Sequence, residues 1–238
     1  MKIETYPIFT KLLNSQLIGA TVIVVDVLRS STSIIWALKN GAEKLIPTKN
    51  ASEAAMLASR LRLQDCLVAG EIKGVKVQGF DVGNSPGEFT RIRVLGKTII
   101  FGTTNGTGTI CGCVTAKNLL IGAMINASAV AKRAAELGND VIIMCAGTEG
   151  AVSADDLCAA GAIANAIAAH SNVPVESSDM TLVCRMIYSD WLDGRADLKQ
   201  TKHYSTLLEL GFGEDIRLCF GVDTADVVPE YVNDAIRG

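Results

Sequence analysis

The 238-residue sequence has no hydrophobic run long enough to span a membrane, and aromatic residues make up only 5% of it. It also lacks a run of basic residues, an RNA-binding aromatic motif and zinc-finger spacing, and its formal net charge is −3. Nucleic-acid-binding proteins usually carry a stronger positive charge, so we expect neither nucleic acid nor membrane as a partner. No secretory signal sequence follows Met1, which predicts a soluble protein.

Motifs of several well-known enzymes are missing as well. No cysteine is followed six positions later by arginine, which argues against a thiolate phosphatase loop. The P-loop, the Gly-x-Ser-x-Gly elbow and a complete Gly-x-Gly-x-x-Gly are absent. Asp26 has no second aspartate two residues later, unlike haloacid dehalogenase-type phosphatases. We place His170 at a helix end and His203 in a polar turn, and we expect neither to bind zinc or act as a base.

The cysteines show no pattern typical of a disulfide framework. They number 7, and most lie among Ala, Gly, Val or Leu, as buried reduced thiols do. We therefore expect a cytoplasmic protein. Cys145 follows a strong predicted strand, but no histidine lies nearby in the sequence to activate it as a nucleophile. A thiol that contacts a ligand or supports the structure is the favoured interpretation.

What the sequence does contain is an alternation of short β-branched runs and longer Ala-rich helical stretches. This pattern is typical of an α/β fold, and we predict a mostly parallel or mixed sheet with helices on both faces, a three-layer α/β/α arrangement. Predicted strands cover residues 21–27, 43–46, 66–70, 97–101, 118–122 and 140–145. Predicted helices cover residues 31–40, 51–63, 104–113, 127–137 and 154–169.

Two regions depart from this alternation. Residues 71–96 are rich in glycine and contain Pro86, which predicts a long loop of the kind that often serves function. From about residue 174 onward strand signals weaken, and we predict helices that pack on the sheet. No linker composition marks a domain boundary, so we expect residues 1–238 to form a single catalytic α/β unit, with a helical C-terminal subdomain from about 174 as an open alternative.

Two predicted strand-to-helix connections share a design that favours anion binding. One apolar run ends at Asp26 and is followed by Arg29 and the hydroxyls of residues 30–32. A second ends at Gly102 and is followed by residues 103–107, which hold three threonines, an asparagine and a glycine. Hydroxyls, free backbone N–H groups and the positive end of a helix would meet at each connection.

Asp26 and Arg29 each allow more than one interpretation. A carboxylate after four apolar β-branched residues could bind a divalent metal or attack a substrate, or it could cap the helix that begins at Ser30 or pair with Arg29. The Arg29 guanidinium could hold a phosphate or sulfonate through paired N–H bonds, or it could form a surface ion pair.

Further carboxylates follow other predicted strands. Glu71 follows the strand at 66–70, Asp81 lies in the glycine-rich loop, and Asp155 and Asp156 open the helix at 154–169 behind Ser153, a candidate N-cap. Because Mg²⁺ prefers oxygen ligands, these residues together with Asp26 make a magnesium site plausible. For Asp81 and the nearby Asn84, a turn that satisfies its own backbone is an equal alternative.

Several motifs in order make the chain resemble the 2-phosphosulfolactate phosphatase family. These motifs are Asp26-Val-Leu-Arg29-Ser30-Ser31-Thr32-Ser33, Gly70-Glu71, Gly79-Phe-Asp81-Val-Gly83-Asn84-Ser85-Pro86, Thr103-Thr104-Asn105-Gly106-Thr107 and Cys145-Ala-Gly147 with Ser153-x-Asp155-Asp156. The resemblance implies a Mg²⁺-dependent hydrolase that converts (2R)-2-phospho-3-sulfolactate to 3-sulfolactate and phosphate on the route to coenzyme M. That substrate carries phosphate, carboxylate and sulfonate, which would account for more than one anion cradle.

From these charges we predict a mechanism with named residues. Catalytic roles are expected for Asp26, Arg29 and Glu71. Substrate binding is expected for Ser30, Ser31, Thr32, Thr103, Thr104, Asn105, Gly106, Thr107 and Cys145. Metal binding is expected for some of Asp26, Glu71, Asp81, Asp155 and Asp156. The attacking group stays open between water and a carboxylate, for which Asp26 is preferred.

Two other functions remain open at this point. A non-catalytic binder of a small phosphorylated acid would use the same cradles, although it would gain nothing from carboxylates beside its ligand. A Mg²⁺-dependent lyase or isomerase of a phosphorylated hydroxyacid is the second. The abundance of apolar residues permits a homodimer without demonstrating one.

Overall fold

The computed structural model describes residues 1–61 and 65–238. The strands are β1 (Lys2–Tyr6), β2 (Thr21–Val25), β3 (Lys44–Pro47), β4 (Cys66–Ile72), β5 (Val75–Lys76), β6 (Thr98–Gly102), β7 (Asn118–Gly122), β8 (Val141–Cys145), β9 (Glu176–Ser177), β10 (Glu230–Val232) and β11 (Ala235–Arg237). The helices are α1 (Asn14–Leu17), α2 (Ser30–Lys39), α3 (Ala51–Leu61), α4 (Arg91–Val94), α5 (Gly106–Gly112), α6 (Ala127–Leu137), α7 (Ala154–His170), α8 (Asp179–Leu192), α9 (Lys202–Glu209) and α10 (Gly213–Cys219). Together they form a large mixed sheet with helices, as the sequence predicts.

The predicted strands and helices of the first two thirds of the chain are confirmed. The six predicted strands correspond to β2, β3, β4, β6, β7 and β8, and the five predicted helices correspond to α2, α3, α5, α6 and α7. Helix α5 begins at Gly106 rather than at 104, and the predicted residues 62–63 of the second helix lie outside the described residues. The segments with a clear hydrophobic pattern are therefore the ones that the sequence predicts correctly.

The C-terminal third contains strands that the helical prediction missed. Helices α8, α9 and α10 are present, but β10 and β11 form a hairpin that pairs with β7 on one side and β3 on the other. Its turn holds Asn233 and Asp234 with φ of 51° and 59°, a left-handed pair that short asparagine and aspartate side chains tolerate. Strands of three residues are too short to show a period in the sequence.

The hairpin joins two groups of parallel strands. In the part of the chain that the structure describes, the strand order is β5-β4-β6-β3-β11-β10-β7-β2-β8-β1-β9. The pairings of β3 with β11, β11 with β10 and β10 with β7 are all antiparallel. These three successive pairings reverse the direction of the parallel group that contains β3 relative to the group that contains β7. The segments that follow β2 and β6 nevertheless meet, because Ser30 Oγ and Thr103 Oγ1 are hydrogen-bonded.

The core shows why these strands lie between helices. Val22 and Val24 of β2 pack in one cluster with residues of α2 and α5, while Ile23 and Val25 pack in another with residues of α6 and α7. Ile99 of β6 joins the first cluster too, so both parallel groups face α2 and α5. The polar segments that follow β2 and β6 consequently meet.

None of the helices in the described residues combines the length and hydropathy that crossing a bilayer requires.

Candidate active site

A cavity of about 330 Å³ lies where the segments that follow β2, β4, β6 and β8 meet α9. Direct hydrogen bonds connect those segments. Ser30 Oγ lies 3.0 Å from Thr103 Oγ1, and the Glu149 amide donates to Asn105 Oδ1 at 3.1 Å. The polar and charged residues of its lining are Asp26, Arg29, Ser30, Glu71, Lys73, Asn84, Thr104, Asn105, Thr148, Glu149, Ser153, Asp155, Thr201, Lys202, His203 and Thr206.

Asp26 lies at the carboxyl end of β2, and its carboxylate is buried in the cavity wall. Its Oδ1 accepts a hydrogen bond from the Ser30 amide at 3.2 Å, and its own amide donates to Ser31 Oγ at 2.9 Å. It thus stabilises the first turn of α2, in agreement with the capping interpretation, and it does not pair with Arg29. Burial raises the pKa of Asp26 to about 6, since Asp155 adds to that rise while His203 and the Ser30 bonds only partly oppose it.

Arg29 is buried and its guanidinium is bound by protein groups. Its Nη1 donates to Asp215 Oδ2 at 2.7 Å, its Nη2 donates to the Gly74 carbonyl at 2.6 Å, and its centre lies 4.0 Å from the centroid of the Phe212 ring. Ser85 Oγ donates to the other oxygen of Asp215. Arg29 therefore ties the turn between β4 and β5 to α10, and the interpretation as a surface ion pair is wrong.

Glu71 connects two loops through its carboxylate. Its Oε1 accepts from the Thr104 amide at 2.7 Å, and its Oε2 accepts from the Gly74 amide at 2.6 Å and from Thr104 Oγ1 at 3.1 Å. The side chain is buried, and these three donors surround its oxygens. The geometry makes Glu71 a clamp between the β4–β5 turn and the segment after β6.

The predicted hydroxyl cluster divides into residues that face the cavity and residues that do not. Ser30, Thr104 and Asn105 line the cavity. The others are committed to bonds within the fold: Ser31 Oγ accepts from the Asp26 amide, Thr32 Oγ1 donates to the Val27 carbonyl, and Thr107 Oγ1 accepts from the Thr103 amide. Gly106 lies against Asp26, since a Cβ there would be 2.4 Å from Asp26 Oδ2.

Asp155 and His203 form a part of the site that the sequence did not reveal as a pair. Both carboxylate oxygens of Asp155 are buried without a hydrogen-bond partner among the described residues. His203 Nδ1 lies 3.6 Å from Asp155 Oδ2 and 3.0 Å from Thr148 Oγ1. Burial alone lowers the pKa of His203, but the neighbouring carboxylates of Asp155 and Asp26 raise it above its ordinary value.

The prediction of His203 in an unremarkable polar turn is wrong, because His203 lies on α9 and faces the cavity. Thr148 and Asp215 are further residues of this region that the sequence interpretation did not select. They lie far from Asp26 along the chain, and no local motif marks them. Asn84, considered earlier as a loop ligand, lines the cavity with its buried Oδ1 unpartnered within the described part of the chain.

Three further predicted site residues, Asp81, Asp156 and Cys145, also lie outside the cavity lining. Asp81 is exposed and accepts from the Val68 amide of β4 at 2.8 Å, so it binds a neighbouring strand rather than the backbone of its own turn. Asp156 is buried and accepts from the amides of Val27 and Gly147 at 2.8 and 3.0 Å, while burial and the neighbouring Asp155 raise its pKa well above the ordinary value. Cys145 is fully buried, and burial also raises its pKa well above that of a free thiol, which favours a structural role.

The five predicted metal carboxylates do not gather into one cluster. Among residues 1–61 and 65–238, no three His, Cys, Asp or Glu side chains stand close enough to hold a metal together. The smaller set of Asp26, Asp155 and Asn84 nevertheless fits a hard cation. All three present oxygen ligands to the cavity, and the unpartnered oxygens of Asp155 and Asn84 lack the compensation that buried polar atoms normally have.

The clamp geometry of Glu71 leads to a first prediction. Replacing Glu71 with glutamine turns an acceptor oxygen into an NH₂ group facing backbone donors, so we expect a loss of about 1–3 kcal/mol in the free energy of unfolding and a roughly tenfold fall in activity. Urea unfolding and steady-state kinetics measure both. A thousandfold loss of activity at unchanged stability would instead identify Glu71 as a catalytic or metal-binding group.

The chain is similar to known proteins over nearly its whole length. A family model described as 2-phosphosulpholactate phosphatase matches residues 8–234. A protein of Clostridium novyi named probable 2-phosphosulfolactate phosphatase is 38% identical over 231 residues, covering 97% of each chain. A protein of Caldanaerobacter subterraneus subsp. tengcongensis with the same name is 37% identical over 238 residues, covering 100% of this chain and 98% of its own. The chain belongs to the 2-phosphosulfolactate phosphatase family, a family of phosphoric monoester hydrolases.

Proposed function

We propose that this protein is a Mg²⁺-dependent phosphatase that hydrolyses (2R)-2-phospho-3-sulfolactate to 3-sulfolactate and phosphate. The observation that carries the proposal is the buried, unpartnered carboxylate of Asp155 beside Asp26 in a cavity that also presents hydroxyl and amide donors. Two carboxylates that repel each other are costly in a buried site unless a cation accompanies the ligand. The names of the related proteins, probable 2-phosphosulfolactate phosphatases, support this choice of substrate.

Asp26, Asp155 and the Asn84 carbonyl oxygen are the residues that would hold Mg²⁺. When bound, the ion neutralises negative charge on the phosphoryl group in the transition state. The two other carboxylates of the described lining differ from this pair, because the Glu71 oxygens accept three hydrogen bonds and Glu149 is exposed to solvent.

The donors of the cavity lining position the phosphoryl group. Both donors of Thr104 are bound by Glu71, whereas Ser30 Oγ and the Asn105 amide group reach the cavity from the two predicted anion-binding connections. We assign the binding of phosphoryl oxygens to these groups, and we give Arg29 the task of holding the cavity wall in place because its guanidinium already contacts Asp215, Gly74 and Phe212.

His203 is the group that we assign to proton transfer. It lines the cavity, and its Nδ1 lies 3.6 Å from Asp155 Oδ2, a carboxylate that raises the pKa of the ring. A protonated histidine can donate to the leaving hydroxyl oxygen of sulfolactate as the ester bond breaks. Asp26 is the preferred nucleophile if a carboxylate attacks; otherwise it orients the attacking water.

The test of the proposed function is a phosphate-release assay with 2-phosphosulfolactate. We expect release in the presence of Mg²⁺ and at least about a hundredfold less after EDTA treatment, with recovery when Mg²⁺ is restored. Binding without release would favour a non-catalytic carrier. Consumption of substrate without stoichiometric phosphate would favour a lyase or isomerase.

The attacking group can be identified separately. An aspartyl phosphate, formed if Asp26 attacks phosphorus and sulfolactate leaves, is reduced by borohydride to homoserine, and peptide mass spectrometry would find it at position 26. Attack by water leaves Asp26 unmodified, and no homoserine would be found at position 26.

The cellular setting is part of the same proposal. We propose a cytoplasmic enzyme that supplies sulfolactate for coenzyme M formation or related sulfolactate metabolism. The seven cysteines, all free thiols, suit a reducing compartment.

A further inference from the structure

Two lysines at the edge of the cavity have no side-chain partner among residues 1–61 and 65–238. Lys73 lies in the turn between β4 and β5, and Lys202 is the first residue of α9. Both are exposed, and neither ammonium group forms an ion pair among the described residues, whereas Lys49 and Lys97 pair with carboxylates. Free ammonium groups that face one cavity are available to a ligand.

The backbone around each lysine is held in place. The Lys73 amide donates to Thr104 Oγ1 at 3.3 Å, and the neighbouring Gly74 is bonded to both Glu71 and Arg29. Lys202 directly precedes His203, whose ring contacts Thr148 and Asp155. Gly74 lies against Leu210, just beyond the C-terminal end of α9, so Lys73 and Lys202 join the cavity lining near opposite ends of this helix.

The charges along the cavity are separated. Its buried wall carries the carboxylates of Asp26, Asp155 and Glu71, and its exposed rim carries Lys73 and Lys202 with Glu149 as the acidic exception. Arg29 adds no free positive charge, because the Asp215 carboxylate lies 2.7 Å from it. A ligand that places its phosphate at the metal-binding carboxylates would direct its other anionic groups towards the lysines.

We propose that Lys73 and Lys202 form the subsite for the sulfonate and carboxylate of the substrate and so determine specificity for phosphate esters with two further anionic groups. This inference rests on the proposed function. The buried donors and carboxylates then act on the phosphate, and the rim lysines select the other anionic groups of the substrate. Ammonium groups suit this task because they are mobile point charges that adapt to different anions.

The experiment compares three esters built on the same carbon skeleton. 2-Phosphosulfolactate has both extra anions, 2-phospholactate has the carboxylate alone, and isopropyl phosphate has neither. In the double variant Lys73→Met/Lys202→Met we expect KM to rise about 100-fold for 2-phosphosulfolactate, about 10-fold for 2-phospholactate and less than twofold for isopropyl phosphate, because each charge-assisted contact accounts for about a factor of ten. We expect kcat to stay within about threefold of wild type. The arginine variants should restore most of the affinity.

Lys132→Met is the matched control, because Lys132 is an exposed residue of α6 that does not line the cavity. An equal rise in KM for all three esters would overturn the proposal, since it would show that the lysines serve the phosphate or the general electrostatic field. An unchanged KM for 2-phosphosulfolactate would overturn it as well.

Calorimetric binding of 3-sulfolactate and lactate to the same variants separates this inference from the proposed function. We expect wild type to bind 3-sulfolactate about tenfold more tightly than lactate, and the double variant to lose that difference. A wild-type chain that releases no phosphate would refute the phosphatase proposal, while equal binding of the two acids by wild type would refute the lysine subsite.

Discussion

Replacing Asp155 with asparagine is expected to lower phosphate release from 2-phosphosulfolactate roughly a thousandfold while stabilising the metal-free protein. The fall follows from the loss of a ligand for the ion that neutralises the phosphoryl charge, a contribution of several kcal/mol. The gain follows from the same side chain, since Asp155 is buried next to Asp26, neither of its oxygens accepts a hydrogen bond in the described structure, and its 3.6 Å contact with His203 Nδ1 is longer than a hydrogen bond. Kinetics and thermal unfolding in EDTA measure the two effects.

The stability of the metal-free protein should also depend on pH in a defined direction. The pKa of Asp26 rises from its ordinary value near 4 to about 6 on folding, so its protonated form is favoured in the folded state. In EDTA its contribution to stability is therefore fully present below about pH 4 and is lost as the pH rises through about 6. Asp26→Asn should flatten this part of the profile and stabilise the metal-free protein by about 1–3 kcal/mol at neutral pH.

Mg²⁺ supplies the control for both aspartate variants. It should raise the unfolding temperature of wild type, because a ligand bound only by the folded state stabilises it, and have little effect on Asp155→Asn. Asp81→Asn is the matched substitution outside the cavity and should leave activity and the Mg²⁺ response near wild type. An active Asp155→Asn enzyme with a normal Mg²⁺ response would contradict the assignment of Asp155.

Replacing Gly106 with alanine is expected to reduce activity by about a hundredfold to a thousandfold. A Cβ at this position would lie 2.4 Å from Asp26 Oδ2, 2.6 Å from Ser30 Cβ and 2.8 Å from Ser30 Oγ, all closer than side chains normally approach. Asp26 and Ser30 are buried, so the added methyl group must displace the carboxylate or the start of α2. Small displacements of groups around the phosphoryl site are costly because catalysis depends on their alignment.

Gly108→Ala provides the comparison within the same helix. Its Cβ would meet only the Lys49 carbonyl oxygen, at 3.2 Å, and it would not touch the cavity residues. We expect it to keep activity within about threefold of wild type, since alanine favours the helix over glycine by up to about 1 kcal/mol. If both variants lose activity equally, the loss reflects damage to α5 rather than to the Asp26 carboxylate. Circular dichroism and unfolding curves distinguish the two.

Local patterns explain which parts of the architecture could be predicted. Strand β2 consists of five buried residues, Thr21–Val25, and such a β-branched run has few alternatives to a central strand. Helix α7, with alanine throughout and an aspartate pair in its first turn, is equally plain in the sequence. The β10–β11 hairpin escaped prediction because its three-residue strands acquire their stability from β3 and β7, which lie far away in the chain.

The residues of the candidate site were likewise predictable only where local sequence places them. Asp26 and Ser30 reach the cavity from a connection whose strand, turn and helix are all encoded locally. Asp155 and Asp156 are neighbours on one helix, yet only Asp155 lines the cavity while Asp156 accepts two backbone hydrogen bonds. Adjacent helical positions point about 100° apart, and the sequence does not state which direction faces the cavity.

By itself, the sequence determined the alternation of strands and helices, the polar connections after β2 and β6 and the resemblance to a phosphatase family, because all three depend on residues close together in the chain. Only the tertiary structure decided that Arg29 is bound by Asp215 and that His203 lies beside Asp155. It also decided that Lys73 and Lys202 face one cavity. These contacts join segments brought together by the order and twist of the sheet and the packing of α9 and α10, and no local propensity encodes them.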